Sequence, residues 1–367
     1  MEFGLKNQNG LGFFIQFQDA HIIDSDFPAD AFPKGSPYKN VFDVRQVYAE
    51  WEHIYGSPLG FKIGRQRISY ADRRIFGPGE WGNVGRYTWD ALIVSYDNQY
   101  LKVDAFYSKR IRYKPDDFLD GHFPFHVWSI YGTLKNLPAR IDFFWVYKRD
   151  DRGITVGESG KGNENRYTFG AYVNGEILKN MDYHGTFAYQ FGKWGNDDIS
   201  AYGANVRVGY TFPSLLSGRI GVEYSYASGD SNPKDGKKET FDGVFGAIDL
   251  YYGRMNLFSW MNLQDYQLTF SIKPLETLKI ISDYHWFKLS QEKDAWYYGN
   301  GKGIRRDTKG ECGSSLGTEW NIYGTYRFKN NIEFQAGYCL FFPGTFIKNT
   351  GFDGNSRYIF FQVFVLF

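Results

Sequence analysis

The sequence predicts an all-β fold: a transmembrane antiparallel up-and-down β-barrel of about 18 strands in the full protein, about 16–17 of which lie in this chain. Three observations predict it. Apolar and polar residues alternate over long segments, and the connections between these segments alternate between short and long. Aromatic residues reach 20% of the 367 residues, yet the mean hydropathy is only -0.47. Together these features are typical of strands that cross a bilayer around a polar interior.

The alternation marks the individual strands. It is clearest in five segments: Arg140–Lys148, Arg166–Gly175, Arg219–Tyr226, Tyr266–Ile272 and Trp320–Phe328. In the first of these, Ile141, Phe143 and Trp145 share one face, and the charged residues share the other. A soluble β-sandwich would alternate in the same way. However, strands of about 9–14 residues exceed the usual five or six and suit a tilted membrane crossing.

The connections separate the two possibilities further. Short ones lie at 55–60, 97–99, 135–138, 178–182, 273–276 and 329–331. Long ones lie near 24–40, 71–85, 114–124, 150–164, 229–262, 290–316 and 343–356, with a shorter member at 192–198. Strict alternation of short turns and long loops is typical of an outer-membrane barrel, whereas a sandwich has no reason to keep it.

The two ends of the chain fit the same fold, and we expect a single barrel domain over residues 1–367. The first residues, MEFGLKN, read as the end of a strand joined to the next by a tight turn. Because bacterial barrels have an even number of strands, we expect one more strand and a signal peptide before Met1 in the full gene product. The last strand, Arg357–Phe367, would promote aggregation in water, but not when its apolar face contacts lipid. Its terminal Phe resembles the insertion signal of outer-membrane proteins.

Composition excludes several other classes. The formal net charge is +1, which does not favour nucleic-acid binding. No run of about 18 apolar residues could form a transmembrane helix. The two cysteines, Cys312 and Cys339, match no metal motif. His126, Ser129 and His285 are the only candidates for hydrolytic chemistry, and no motif joins them, so we expect no enzyme.

Charged residues within the strands indicate what the interior does. Arg or Lys facing lipid at midplane costs about 2–4 kcal/mol, so these side chains should point inward. The predicted pore-lining cations are Arg45, Arg65, Arg67, Arg86, Lys102, Arg140, Lys148, Arg166, Arg207, Arg219 and Arg327. The inward acids are Asp43, Asp90, Asp104, Asp142, Glu223 and Asp283. Such a lining favours anionic solutes, polyuronates included. Alternatively, the same residues simply brace the wall by pairing Arg with Asp across the lumen.

One stretch sharpens this prediction through a resemblance. Residues 64–98, GRQRISYADRRIFGPGEWGNVGRYTWDALIVSYDN, resemble the central signature of the alginate-export family of outer-membrane barrels. Weaker matches are residues 226–246, with SGD followed by FD, and SDYHWF at 282–287. The resemblance implies about eighteen strands and an electropositive lumen that passes a polyanion. It also implies that Arg45, Arg65 and Arg86 contact the anion, with Asp72, Glu80 and Asp90 as their acidic partners.

Alternatives of other kinds remain open. A general or small-anion porin would use an infolded loop, for which 229–262 and 290–316 are candidates. A passive barrel could instead sheathe a partner protein. We expect a monomer in the bacterial outer membrane that crosses it many times and contacts the bilayer and lipopolysaccharide. Its further partners would be an anionic polysaccharide or small anions, and periplasmic export proteins. We expect no cofactor, although Asp230, Asp235 and Asp242 could bind Ca²⁺ in an external loop.

Overall fold

The computed structural model describes residues 1–21, 40–78, 88–112, 114, 117–247, 250–329 and 331–365, with side chains from residue 42 onward in the second range. The strands are β1 (Glu2–Lys6), β2 (Leu11–Ala20), β3 (Asn40–Trp51), β4 (Leu59–Arg67), β5 (Thr88–Asp97), β6 (Leu101–Arg112), β7 (Gly121–His122), β8 (His126–Leu134), β9 (Arg140–Gly157), β10 (Gly160–Leu178), β11 (Met181–Trp194), β12 (Asp197–Phe212), β13 (Gly218–Ala227), β14 (Lys237–Lys238), β15 (Leu263–Leu275), β16 (Leu278–Lys288), β17 (Ala295–Tyr297), β18 (Gly303–Arg306), β19 (Ser315–Phe328), β20 (Ile332–Pro343) and β21 (Ser356–Val365). A 3₁₀ turn (Ile54–Gly56) and a helix, α1 (Thr345–Thr350), complete the described elements.

These strands confirm the predicted fold class. Within the described ranges, sixteen strands of nine or more residues follow β1, and β7, β14, β17 and β18 are short additions. Nineteen strands belong to one large sheet, whose pairings are almost all antiparallel. In the same part of the chain, no helix combines the length and apolar character that crossing a membrane would require.

Two predicted loops are strands instead. The sequence predicts long connections at 150–164 and 192–198, but β9 and β10 run on to a turn at 158–159, and β11 and β12 meet at 195–196. Hydrogen bonds join the tips of these two hairpins: the Asp197 carboxylate accepts the backbone N–H groups of Glu158 (2.5 Å) and Ser159 (2.7 Å). These bonds stabilise the extended hairpins, so the charged and glycine-containing sequence at 150–164 is wrongly predicted as a loop.

The described residues group into two compact units. Unit 1 comprises Met1–Gly170, Phe191–Asp197 and Val244–Ala247, and unit 2 comprises Ala171–Gln190, Asp198–Gly243 and Ile248–Phe367. In each unit we call the sheet face with exposed apolar side chains the outer face, and the opposite face the inner face. The prediction that residues 1–367 form one domain stays a prediction.

Unit 1 carries a row of stacked rings on its outer face. The row consists of Tyr107, His126, Trp128, Tyr147, Tyr167 and Phe191, on five neighbouring strands. Adjacent rings are close, with centroids 4.4 Å apart for Tyr147 and Tyr167 and 5.0 Å apart for Tyr167 and Phe191. A continuous band of this kind is typical of the interfacial aromatic girdle of a membrane barrel.

Two chain segments pack on the inner face of unit 1. Residues 68–78 and 244–247 meet through a parallel bridge between Phe76 and Phe245, and Phe76 is fully buried. Phe245 packs edge-on against Trp89 at 4.7 Å. Gly246 has no room for a side chain, because a Cβ there would lie 1.9 Å from the Arg74 carbonyl oxygen. The inner face of unit 1 is therefore partly filled by its own connections.

Unit 2 shows the same division between its faces. Val222, Phe270 and Ile359 are exposed on the outer face. The inner face is polar yet buried, and includes Glu223, Asp265, Asp283, His285 and Glu319. The continuous register Glu223–Gln267–His285–Glu319 across four strands explains why these polar side chains lie side by side.

The inner face of unit 2 is buried because loops cover it. Phe241 packs edge-on against Trp260 (4.9 Å), and Phe258 packs against Phe287 (4.2 Å). Residues 229–243, 250–262 and 290–306 all take part, and the indole of Trp296 donates to the carbonyl oxygen of Leu257 (2.9 Å). These segments belong to the two connections that the sequence proposes as candidates for an infolded loop.

Candidate functional site

Four of the predicted pore-lining cations in unit 1 are held by acids: Arg65, Arg140, Lys148 and Arg166. The Arg140 guanidinium lies 2.8 Å from the carboxylate of Asp142, which is itself fully buried. Glu164 accepts from both Lys148 (3.1 Å) and Arg166 (3.0 Å). Lys148 and Glu164 link the neighbouring strands β9 and β10. The other two pairs each join positions two apart on one strand, β9 or β10. Their contacts fit the bracing role that the sequence leaves open.

Unit 2 repeats this arrangement. Arg207 and Glu223 face each other in register, with 2.5 Å between guanidinium and carboxylate. Arg219 pairs with Asp182 (2.6 Å) and Arg327 with Glu333 (3.1 Å). Asp283, also predicted, accepts from the hydroxyl of Tyr323 (3.1 Å) and from the amide of Gln267 (3.3 Å).

Arg65 and Asp90 form an ion pair, as the family resemblance implies, and other parts of the protein surround it. Their side chains are 3.0 Å apart, and His122 lies 2.7 Å from the same carboxylate. Arg65 is an odd-numbered residue of β4, like the exposed Leu59 and Ile63, yet it is buried. Its guanidinium donates to the backbone oxygen of Asp120 (3.4 Å). Protein groups therefore enclose this guanidinium.

The segment that covers Arg65 contributes Asp120, whose carboxyl lies near that of Asp43 in β3. Burial raises the pKa of Asp120, and the neighbouring carboxyl of Asp43 raises it further, to about 7. One carboxyl oxygen of Asp120 accepts the backbone N–H of Lys114 (2.7 Å), which closes the segment. A carboxyl with this pKa changes its charge near neutral pH.

The remaining acids of the signature are placed as follows. The carboxylate of Asp72 accepts from its near neighbour Arg74 (3.1 Å), a pair that lies within the infolded segment 68–78. Arg86 and Glu80 lie outside the described residues. The contacts that the resemblance implies for these two side chains stay predictions.

A different group of cations is not paired with acids. Lys62, Arg67 and Lys102 line one cleft of about 410 Å³ in unit 1. Arg45 lies near this group, since its charge and that of Arg67 repel each other. Among the residues that the structure describes, none of these four forms an ion pair with a carboxylate. We call these four residues the cation cluster.

The acids of the cleft are engaged by other groups. Glu50 and Glu52 share the ammonium of Lys6, at 3.6 and 2.6 Å. Asp97 is paired with Lys135. Asp104 accepts from the hydroxyls of Ser95 (2.6 Å) and Tyr70 (3.0 Å). The carboxylates of the cleft are therefore engaged by other groups of the protein, whereas Lys62, Arg67 and Lys102 form no ion pair among the described residues.

Local irregularities of the backbone position the cluster. The β2–β3 register shifts between Gln16 and Phe17, which places Arg45 at a bulge. In β4, Gly64 has a φ of +126°, and a Cβ there would lie 2.3 Å from the Val47 oxygen. Only glycine fits this close approach of two strands. Such irregularities interrupt the simple alternation on which the prediction of faces depends.

Lys62 is the member of the cluster that the sequence prediction misses. Its ammonium lies 3.6 Å from the centre of the Tyr48 ring on the inner face. The signal was available, because Leu59, Phe61 and Ile63 make the odd positions of β4 apolar and so put Lys62 on the other face. The Arg residues at 65 and 67 suggest the opposite parity, which is why Lys62 is overlooked.

The residues that the sequence singles out for metal binding or hydrolysis have the following surroundings. Within the described ranges, no group of three or more His, Cys, Asp or Glu side chains could hold a metal ion. Asp230, Asp235 and Asp242 therefore do not form such a group. Ser129 donates to the carbonyl oxygen of Trp145 (2.8 Å) rather than to an imidazole. His126 bonds to the Tyr107 hydroxyl (2.6 Å) in the aromatic row of the outer face.

The chain matches a known protein family over almost its whole length. The family described as alginate export matches residues 4–361. This range contains nearly all of both units and every member of the cation cluster. A search of curated proteins finds no match.

Solved structures show the same fold at low sequence identity. OccAB2 of Acinetobacter baumannii is 12% identical, with a TM-score of 0.61 over 98% of this chain and 88% of that one. The outer membrane protein OpdK of Pseudomonas aeruginosa is 10% identical, with a TM-score of 0.58 over 100% and 91%. OccD3 (OpdP) of the same organism is 10% identical, with a TM-score of 0.55 over 97% and 82%.

Proposed function

The chain belongs to the alginate export family of outer-membrane β-barrel channels, and from this premise we propose that it passes anionic solutes across the bacterial outer membrane. An anionic polysaccharide such as alginate is the first candidate for its substrate. The proposed transport uses fixed charges and needs no cofactor or catalytic group. The outer faces would contact the bilayer and lipopolysaccharide.

The cation cluster is the observation that carries this proposal. Lys62, Arg67 and Lys102 share one cleft without a carboxylate partner among the described residues, so their charges are available to a solute. In a confined region of low dielectric, unpaired cations attract anions and repel cations. Carboxylates along a polyuronate could pass from one cation to the next without strong binding at any of them.

The paired cations have a different role in this proposal. Arg140, Lys148, Arg166, Arg207 and Arg219 are each held by an acid, on the same strand or on another strand of the sheet, and brace the wall. Breaking one of these pairs would leave a buried charge unpaired, which costs about 3–5 kcal/mol. We therefore assign selectivity to the cation cluster and mechanical stability to the ion pairs.

Reversal potentials in planar bilayers test the proposal. With a salt gradient across the full-length protein, we expect anion selectivity and block by added polyuronate. Replacing Lys62, Arg67 and Lys102 together with Gln should lower the ratio of anion to cation permeability and weaken the block. Arg149→Gln is the control for loss of a cation outside the cleft, because Arg149 is already paired with Asp151 (2.7 Å). Cation selectivity of the unmodified channel would contradict the proposal.

A small-anion channel is the second candidate, and the infolded segments favour it. Residues 68–78 and 244–247 occupy part of the inner face of unit 1, and such segments limit the size of a solute. OpdK, which shares the fold, has been crystallised with the small carboxylate vanillate. Block by small aromatic carboxylates, without block by polyuronate of twenty or so residues, would favour this candidate.

A further inference from the structure

A loop segment covers the inner face of unit 2 more completely than a surface connection would. In residues 250–262, the side chains of Tyr252, Phe258 and Trp260 are each at most 2% exposed. The indole of Trp260 donates to the carbonyl oxygen of Tyr226 (3.0 Å), at the end of β13. Loops usually run over the surface, so a buried one needs specific partners for its backbone groups.

Glu319 supplies the polar partner at the start of this segment. It projects from β19 and is fully buried. One of its carboxylate oxygens accepts the backbone N–H of Arg254 (2.6 Å) and that of Met255 (3.2 Å). Two backbone donors on one buried carboxylate make charge-assisted bonds, which are stronger than bonds to a neutral acceptor.

Gly253 brings the segment close to that carboxylate. Its φ is +82°, and a Cβ at this position would lie 2.5 Å from a Glu319 carboxylate oxygen. Any other residue would be strained here and would also meet the carboxylate. The next residue, Arg254, places its guanidinium 3.9 Å from the centre of the Tyr323 ring on the same strand as Glu319.

The rest of the segment is held by apolar contacts. Phe258 packs against Phe287 (4.2 Å), Phe341 (5.8 Å) and Trp296 (5.8 Å). These rings belong to β16, β20 and β17, so the segment bridges several elements without extending a strand of the sheet. Its removal would expose the inner face of unit 2 while leaving the strand ladders intact.

From these contacts we propose that residues 250–262 form a plug that sets the size limit for solutes passing along the inner face of unit 2. Glu319 is the positioning residue that holds the plug in place. The inference rests on the proposed channel function, but it does not depend on the sign of the solute's charge. It therefore makes a prediction for neutral solutes, which the cation cluster does not.

Three variants test the plug. Glu319→Gln removes the charge from the acceptor, Gly253→Ala forces the segment away from the carboxylate, and a third variant replaces residues 254–261 with a Gly-Ser linker. Glu292→Gln is the control for loss of a carboxylate, since Glu292 is exposed in a nearby loop. Gly324→Ala is the control for a glycine change, because the nearest atom to its added Cβ is 3.5 Å away. Heat-modified mobility in gels verifies that each barrel is folded.

Hydrogen exchange and channel recordings give separate answers. Loss of a charge-assisted bond is expected to accelerate exchange of the Arg254 and Met255 amides by about 10- to 100-fold. Single-channel conductance should rise in all three variants, and larger neutral polyethylene glycols should enter the channel. Both controls should behave like the unmodified protein.

Two results would overturn the proposal. If exchange in residues 250–262 is unchanged in Glu319→Gln and Gly253→Ala, Glu319 does not position the segment. The second result is an unchanged size cut-off for polyethylene glycol, either in a variant whose exchange accelerates or in a folded linker variant. In that case the segment does not set the size limit. Either result can occur in an anion-selective channel, so it is distinguishable from failure of the proposed function, which the reversal potential reports.

Discussion

Replacing Asp294 with Asn is expected to release the loops of unit 2 while its strands stay folded. Asp294 is fully buried, and its two carboxylate oxygens join separate parts of the chain. One oxygen accepts the Tyr297 hydroxyl (2.9 Å) and the Arg306 guanidinium (2.5 Å). The other accepts the Asp230 N–H (2.9 Å) and the Thr240 hydroxyl (2.6 Å). The side chain therefore ties residues 230–240 to the β17–β18 hairpin.

The magnitude follows from the number of donors that lose an acceptor. In Asn, one oxygen becomes an NH₂ group, so at least two donors face another donor. A hydrogen bond to a charged group contributes about 1.5–3 kcal/mol, and breaking one side of a buried charged pair costs about 3–5 kcal/mol. We expect the free energy of opening the loops to fall by about 3–5 kcal/mol. The strand ladders do not use this carboxylate, so the barrel itself should unfold as before.

The same carboxylate predicts a dependence on pH. Burial alone would raise the pKa of Asp294, but Lys238 and the hydrogen bonds from Thr240, Asp230 and Ala295 hold it below its usual value. A depressed pKa means that the stabilisation is present above the pKa of the unfolded state and is lost as the pH falls through the folded value. The loops should therefore loosen in acid in the unmodified protein.

Hydrogen exchange at the Asp230 and Ala295 amides measures both effects. At neutral pH, exchange should be faster by at least a hundredfold in Asp294→Asn and unchanged in Glu292→Gln, two residues away. With intrinsic rates corrected for pH, acid should increase local opening only where Asp294 is present. If protection at Asp230 survives the substitution, the carboxylate is not what joins these loops.

Three further changes have defined outcomes. Because the pKa of Asp120 is raised to about 7, its protonated carboxyl stabilises the segment fully below about pH 4, and this stabilisation is lost as the pH rises through about 7. Hydrogen exchange of the Lys114 amide should therefore accelerate as the pH rises, and Asp120→Asn should abolish this pH dependence. Gly246→Ala places a Cβ against the Arg74 oxygen, and protease cleavage within 244–247 should accelerate because the clash costs about 1–3 kcal/mol. Tyr70→Phe keeps the ring stack but loses the bond to Asp104, and should lower the free energy of unfolding in urea by about 1–2 kcal/mol.

The sequence predicts the faces of a strand well where the alternation is unbroken. In β9, Phe143 is exposed on the outer face, while Asp142 and Phe144 are buried on the inner face, as the pattern indicates. β4 is different, because Gly64 adopts a positive φ and Arg65 is covered by Asp120 from another connection. Neither the backbone conformation nor the covering segment can be deduced from alternation, so the pattern assigns Arg65 and Arg67 to the pore and overlooks Lys62.

Long-range contacts explain most of what the sequence leaves open. The hairpin at 157–160 is ordered by Asp197, almost forty positions further along the chain, and its own residues read as a loop. Phe76 meets Phe245 in a similar way. A local pattern indicates whether a segment is polar, but it does not indicate which distant segment forms hydrogen bonds with its backbone N–H and C=O groups. The pairing of most inner-face cations with acids depends on the same kind of information.

The length of β9 and β10 has a consequence for what approaches the cell. They contain 18 and 19 residues, whereas a tilted crossing needs about 9–11. The excess of about eight residues corresponds to about 26 Å of strand beyond the aromatic row. This hairpin would rise through the sugar layer of lipopolysaccharide, with its tip clamped by Asp197. Such a clamped hairpin would form a stiff projection beyond the membrane-crossing part of the two strands.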